Sequence, residues 1–228
     1  MAEPDVKTRL LEAAKPHVPF DGWSEAAFRA AMHDTGIDEG LARATCPRGA
    51  LDLALAFHEA GDRAMLDRLA AEDSGALRFP DRIVAAVRFR LEAIEDRELI
   101  RRGTTLFALP QYAPEGAQAV WRTCDRIWTA LGDTSDDINW YTKRATLAGV
   151  YSTTVLYWLG DNSEGHTLTW AFLDRRIEDV MQIERLKARA RGNRLVTRVI
   201  EGPLAPLVRV RPPRTGMSGM PGRWKRRA

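Results

Sequence analysis

The side chains best suited to binding chemistry in this sequence form one short group near the start of a predicted helix. Trp140 and Tyr141 stand there beside Lys143 and Arg144. Large aromatic side chains next to cations are typical of two environments, anchors inside a core and exposed patches that bind a protein partner. The residue types alone leave both interpretations open.

The same predicted helix carries a stripe of small residues. At 100° per residue, one narrow stripe is formed by Ala145, Gly149, Ser152 and Leu156. Because the opposite side is apolar as well, the pattern predicts a helix buried on all sides. Such a stripe either lets a second helix approach closely or leaves room for an apolar guest, which makes these four residues candidates for lipid binding.

Patterns that would support catalysis are absent. The sequence contains no phosphate-binding loop, dinucleotide fingerprint, nucleophile elbow, H-E-x-x-H zinc motif or Glu-x-x-His pair. Its four histidines have no ligand spacing, and His58 is expected at the surface beside Glu59. We therefore expect a non-catalytic protein with no cofactor and no metal.

Helical periodicity dominates the chain and predicts an all-α fold. The predicted helices cover residues 6–15, 25–34, a short segment after Asp38, 50–71, 81–95, 98–108, 115–131, 138–159 and 167–187. Ser24 is predicted as the N-cap of the second helix, Gly36 as its end, and Asp38 as the cap of the short helix that follows. We expect a helix-turn-helix-like region at 1–75, a helical core at 76–190 and a basic tail at 191–228.

Charge is distributed unevenly along the chain. Residues 185–228 contain 13 Lys or Arg and one acidic residue, a net charge of +12, whereas residues 1–184 carry −9. An acidic body with a basic tail suits a polyanionic partner, either a nucleic acid or an anionic membrane surface. No uncharged run reaches the roughly 20 residues of a membrane span.

One short amphipathic piece of this tail, residues 194–200, is predicted to contact a membrane surface. Its apolar and cationic members would hold the protein there reversibly. These residues are Arg194, Leu195, Val196, Arg198, Val199 and Ile200.

The layout of residues 25–45, two short helices around a glycine turn, is that of a helix-turn-helix. A DNA-binding helix-turn-helix presents cations or amides at the start of its second helix. In this chain the second helix begins Asp38-Glu39-Gly40 and has Arg43 as its only cation. Residues 1–75 carry 8 basic and 14 acidic residues. Because acidic side chains repel phosphate, we expect no nucleic-acid binding.

The motif around Trp140 resembles the signature of the ubiquinone-biosynthesis accessory family whose eukaryotic member is called Coq-nine. The resemblance covers most of residues 5–187 and is specific over 120–185. It is carried by Asp125, Ile127-Trp128, Asn139-Trp140-Tyr141-Thr142-Lys143-Arg144-Ala145, Leu147-Ala148, Tyr151-Ser152-Thr153-Thr154, Asp161-Asn162-Ser163 and residues 169–177, with Gly22-Trp23 matching more loosely.

The resemblance implies a TetR-like fold, a homodimer, and an apolar pocket for an isoprenoid quinone intermediate or a phospholipid. It also implies a ubiquinone-pathway hydroxylase as partner, docked on a patch that on matching positions consists of Asp125, Ile127, Trp140, Tyr141 and Arg144. The family associates with membranes through a C-terminal amphipathic helix that is longer and more apolar than residues 194–200 of this chain.

These expectations combine into one functional hypothesis. The protein binds an isoprenoid quinone intermediate at the membrane and presents it to the hydroxylase. No mitochondrial targeting segment is evident, so a cytoplasmic protein, peripheral on a bacterial inner membrane, or a chain without its leader is expected. The rival interpretation is a TetR-type DNA-binding regulator that senses a lipid.

Overall fold

A computed structural model describes residues 5–72, 77–94 and 96–191, with side chains described as far as residue 182. Within this part of the chain there are helices and no strands, which confirms the all-α prediction. The helices are α1 (Val6–Ala14), α2 (Val18–Asp21), α3 (Glu25–Thr35), α4 (Glu39–Thr45), α5 (Ala50–Ala71), α6 (Phe79–Glu92), α7 (Arg97–Phe107), α8 (Ala113–Ala130), α9 (Ile138–Gly160) and α10 (Thr167–Arg191), with a 3₁₀ turn at Glu164–His166.

The boundaries of the N-terminal helices follow from local capping. Ser24 accepts a hydrogen bond from the Ala27 amide at the start of α3, and Asp38 accepts from the amides of Gly40 and Leu41 at the start of α4. Gly36 ends α3 with φ = 63°, a conformation that costs little only without a Cβ. The predicted caps are thus confirmed, while the four-residue helix α2 was missed.

Helix α5 is shared by two apolar cores. Its first half packs with α1, α3 and α4, where Leu53 is fully buried. Its second half packs with α6, α8, α9 and α10, where Met65 is fully buried. The indole of Trp23 ties the first core to α7, because its Nε1 donates to the Leu99 carbonyl at 3.0 Å.

A buried carboxylate fixes the middle of α5 to two neighbouring helices. Asp62 is fully buried and accepts from Arg90 of α6 at 2.8 Å, from Arg126 of α8 at 2.7 Å and from the Thr123 hydroxyl at 2.9 Å. Removing one partner of a buried ion pair leaves the other charge unpaired, at a cost of about 3–5 kcal/mol. Asp62 therefore determines how α5, α6 and α8 are spaced.

Arginines of α7 hold the C-terminal end of α9. Arg97 donates to the carbonyls of Trp158 and Asp161, and Arg101 donates to the carbonyl of Leu159 at 2.9 Å. These donors satisfy carbonyls that the helix end leaves without an intrahelical partner. None of the helices in the described residues is long and apolar enough to cross a bilayer.

Candidate functional site

An apolar cavity of about 300 Å³ lies between α5, α7, α8 and α9. Trp23 and Phe57, with ring centroids 5.5 Å apart, form part of its wall together with the buried Leu99. The lining is mainly apolar and consists of Trp23, Ala54, Phe57, His58, Leu99, Ile100, Gly103, Thr104, Phe107, Ala108, Gly116, Ala117, Ala119, Val120, Tyr151, Ser152, Val155 and Leu156. We call this space the apolar cavity.

Close contact between α7 and α8 shapes one wall of the apolar cavity. A Cβ on Gly116 would lie 2.6 Å from the Cβ of Phe107, so only glycine allows the two helices this approach. The polar groups of the wall are few. Burial raises the pKa of Tyr151 to about 12, and its phenol therefore stays uncharged at neutral pH.

Only half of the stripe that was predicted to bind lipid lines the apolar cavity. Ser152 and Leu156 line the apolar cavity, but Ala145 and Gly149 do not and are exposed. The prediction that α9 is buried on all sides is wrong, because α9 packs on α8 and α10 and leaves a third side open. Leu156 is 59% exposed, at the edge of that open side.

A cluster of three aromatic residues joins α8 to the start of α9. Trp140 and Tyr141 are half-buried, with ring centroids 4.8 Å apart and edge-on. Trp121 of α8 lies 6.0 Å from Trp140 and 6.4 Å from Tyr141, and its indole Nε1 has no hydrogen-bond partner. The sequence pattern did not indicate Trp121, because 18 residues lie between it and Trp140. We call these three residues the aromatic cluster.

A buried arginine packs against the inner side of the aromatic cluster. Arg144 is 2% exposed, its guanidinium lies 4.1 Å from the Trp140 ring centroid, and its Nη1 donates to the Trp140 carbonyl. Its Nε donates to Asp125 at 2.6 Å and its Nη1 to Asp133 at 2.9 Å. The prediction of Arg144 in a surface patch is corrected, since the side chain is buried among carboxylates and an indole.

Asp133, like Trp121, belongs to the site although no sequence pattern indicated it. Burial of its carboxylate opposes ionisation, but hydrogen bonds from Lys143, Arg144 and Ser135 outweigh this and hold the pKa of Asp133 well below its usual range. The carboxylate therefore remains charged at neutral pH. Together with Asp125, it fixes the first turn of α9 on the end of α8.

Ile127 is fully buried in the core between α8 and α9, so its predicted place in an exposed patch is corrected. It lies on the inner face of α8 near the buried Cys124 and Trp128, whereas Asp125 remains one-third exposed. The predicted membrane-binding residues Arg194, Leu195, Val196, Arg198, Val199 and Ile200 lie outside the described residues.

The helix-turn-helix-like region offers few free cations. Arg43, the cation of α4, forms ion pairs with Glu25 and Glu39, and its guanidinium lies over the Phe28 ring. The described residues contain no group of three His, Cys, Asp or Glu side chains able to hold a metal ion.

Comparison with known families bears on residues 113–184. This segment matches the COQ9 family model, and it contains α8, α9 and most of α10, with the whole aromatic cluster and both partners of Arg144. Ubiquinone biosynthesis protein COQ9, mitochondrial, from Drosophila melanogaster is 31% identical over 192 residues. The chain belongs to the COQ9 family.

The similarity to individual COQ9 proteins extends beyond the matched segment. It covers 82% of this chain and 59% of the Drosophila protein, and for the human protein of the same name, 29% identical, it covers 80% and 59%. The chain thus spans about three fifths of the length of these relatives.

A solved structure supports the TetR-like fold of this COQ9-family chain. The TetR transcriptional regulator from Nitrosomonas europaea ATCC 19718 superposes with a TM-score of 0.63 at 18% identity, over 77% of this chain and 97% of the regulator. At this identity the likeness concerns the fold, and the predicted TetR-like fold is confirmed.

His58 differs from its predicted surface position. Its side chain is largely buried in the wall of the apolar cavity, and its Nε2 lies 2.8 Å from the Thr123 hydroxyl, which donates to Asp62. Burial, assisted by the positive charge of Arg90, lowers the pKa of His58 to about 4. The imidazole is therefore neutral in the folded protein at pH 7.

This histidine predicts a specific pH dependence of stability. The unfolded chain takes up a proton near pH 6.5 and the folded chain only near pH 4, so the free energy of unfolding decreases as pH falls through this window, by on the order of 3 kcal/mol. We expect His58→Gln to reduce this decrease and the exposed-site control His33→Gln to preserve it. Urea unfolding followed by circular dichroism from pH 7.5 to 4 measures it, and equal slopes for wild type and His58→Gln would contradict the assignment.

Proposed function

We propose that this protein is a non-catalytic accessory protein of ubiquinone biosynthesis that binds an isoprenoid quinone intermediate at a membrane and presents it to a pathway hydroxylase. The observation that carries this proposal is the apolar cavity, which opens beside α9, the helix that also bears Trp140 and Tyr141. The names of the COQ9 relatives support the pathway.

The chemistry of the apolar cavity suits a prenyl chain. Moving a polyprenyl tail from water into the protein lowers the free energy by about 25 cal/mol for each Å² of apolar surface that is buried. The cavity is lined mainly by aromatic and aliphatic groups, and its His58 and Tyr151 are uncharged at neutral pH. At about 300 Å³ it lies at the lower end of ligand pockets and would enclose a section of a long tail.

Blocking the apolar cavity tests lipid binding. Ala117 is exposed at the cavity, so Ala117→Trp inserts an indole there without removing a core contact. After incubation with phosphatidylcholine vesicles that contain a prenylated benzoquinone, and removal of the vesicles, the wild-type protein should retain quinone. We expect Ala117→Trp to retain less than about one tenth as much, corresponding to at least 1.4 kcal/mol.

The matched control is Ala130→Trp, which places the same side chain on an exposed position of α8 outside the cavity. Circular dichroism melting curves verify that both variants fold. Equal quinone retention by the wild type and Ala117→Trp would reject the cavity as the lipid site.

The aromatic cluster provides the proposed docking surface for the hydroxylase. Aromatic anchors dominate the energetics of protein interfaces, and buried arginine networks keep them in place before binding. Trp140 and Tyr141 are partly exposed, Trp121 lies against both rings, and the Arg144 guanidinium lies against the Trp140 ring. Ile127 and Arg144 would then act as supports and not as direct contacts.

Substitution of Tyr141 tests this docking surface. Tyr141→Lys puts a charge into an apolar contact, and we expect the affinity for the pathway hydroxylase of the same organism to fall at least about tenfold. Phe20→Lys is the control, because Phe20 is a highly exposed aromatic of α2, outside the cluster. Biolayer interferometry measures both affinities, and unchanged binding by a folded Tyr141→Lys variant would remove the cluster from the proposal.

A homodimer and a membrane surface complete the proposal. The open side of α9 and the adjacent face of α10 expose Leu156, Tyr157 and Leu168, and the rings of Tyr157 and Phe172 stack at 4.6 Å. An exposed apolar strip of this kind favours pairing with a second copy. The basic residues 185–228 favour an anionic surface such as the cytoplasmic face of a bacterial inner membrane.

We do not propose DNA binding. The fold is shared with a regulator, but the α4 cation Arg43 is paired with two glutamates and the surrounding region carries net negative charge. Phosphate contacts supply most of nonspecific DNA affinity, whereas residues 1–75 carry 14 acidic and 8 basic residues, a balance that repels phosphate.

A further inference from the structure

A second cavity, of about 520 Å³, lies beside a neighbouring face of α5. It is bounded by the α1–α2 turn, by α5 and by residues at the end of α6 and before α7, and most of its lining is apolar. Representative wall residues are Pro16, Pro19, Ala60, Ala64 and Ile94. Phe57 and Leu99 line both cavities, whereas Arg90 lines this one and not the apolar cavity. We call this second space the arginine cavity.

Arg90 gives this cavity its one deeply buried charge. The side chain is 1% exposed, its Nε donates to Asp62 at 2.8 Å and its Nη2 donates to the His58 carbonyl at 3.0 Å. Its Nη1 is buried and has no hydrogen-bond partner. The guanidinium packs directly against Gly61, another lining residue, where a Cβ would collide with Nη1.

An unsatisfied N–H of a buried guanidinium calls for an acceptor. Leaving a buried donor without a partner is costly, and for a charged donor the cost is greater than for a neutral one. Carboxylates are the acceptors whose charge and geometry match a guanidinium best. The unpaired Nη1 is thus the feature of this cavity that points to a ligand.

Arg90 is the deepest of the charged groups that line the arginine cavity. Asp62 is shared by Arg90 and by the one-third-exposed Arg126, which does not line the cavity. The other charged lining residues are Lys15, which is paired with Glu12, and Asp96, which caps α7.

We propose that the arginine cavity binds an organic monocarboxylate with an apolar body, its carboxylate accepting a hydrogen bond from Nη1 of Arg90. The apolar walls contact the body of the ligand, and the buried cation selects the acid over the corresponding alcohol. A medium-chain fatty acid and an alkyl-substituted aromatic acid share this chemistry. The site is separate from the apolar cavity, and it does not depend on binding of a prenyl lipid.

Isothermal titration calorimetry of the full chain tests the site. The probes are decanoate, 4-butylbenzoate and, as the uncharged analogue, decanol, each below its aggregation concentration. We expect at least one acid to bind the wild type at least tenfold more tightly than decanol. The acid with the higher affinity identifies the source of the carboxylate.

Two variants localise the binding. Ala64 is exposed at the arginine cavity, so Ala64→Trp fills the cavity and should abolish acid binding, whereas Ala130→Trp should leave it unchanged. Arg90→Lys retains a charge for Asp62 but removes the unpaired N–H, and it should weaken acid binding at least tenfold with little effect on decanol. If Arg90→Lys does not fold, as judged by circular dichroism, Ala64→Trp decides the question.

Several results would overturn the proposal. The proposal fails if neither acid binds, or if decanol binds as tightly as the acids. It also fails if acid binding survives in Ala64→Trp, or if acid binding is lost in Ala117→Trp but not in Ala64→Trp. The last result would assign the acid to the apolar cavity. Retention of a prenylated quinone is measured independently, so the two proposals can fail separately.

Discussion

The carboxylate of Asp62 is the interaction on which the arrangement of this helical bundle depends. It lies in the middle of α5 and is held by Arg90 from α6 and by Arg126 and Thr123 from α8. A fully buried carboxylate is tolerated only when its oxygens are occupied by such donors, so the three helices can adopt only spacings that keep these contacts. Two cavities lie beside this helix, the apolar cavity towards α7, α8 and α9 and the arginine cavity towards α6 and the α1–α2 turn.

Helix α9 connects the two parts of the candidate site. Its first turn carries Trp140 and Tyr141, and its middle contributes Tyr151 and Ser152 to the wall of the apolar cavity. The clamp of Arg144 with Asp125 and Asp133 fixes that first turn on α8. A partner bound at the aromatic cluster would therefore contact the same rigid helix that borders the lipid, which is the geometry that presentation of a lipid requires.

The sequence predicted the helices better than it predicted their neighbours. Local rules gave the caps at Ser24 and Asp38, because a cap is determined by residues two or three positions away. The stripe at Ala145 and Gly149 was predicted to face an interior, but periodicity defines faces and not what covers them, and here solvent lies on that side. Asp62 gave no signal at all, since its partners are 28 and 64 residues away in sequence. The motif grouped Ile127 with Asp125, but residues two positions apart on a helix point to different sides, and Ile127 is buried.

Native mass spectrometry of the purified full chain can show whether the bundle binds a prenylated quinone-like lipid. We expect a species heavier than the bare chain, whose bound component, once released by collisional activation, fragments with the mass spacing of isoprene units. Detection of the bare chain alone, or of bound molecules without a prenyl group, would contradict it.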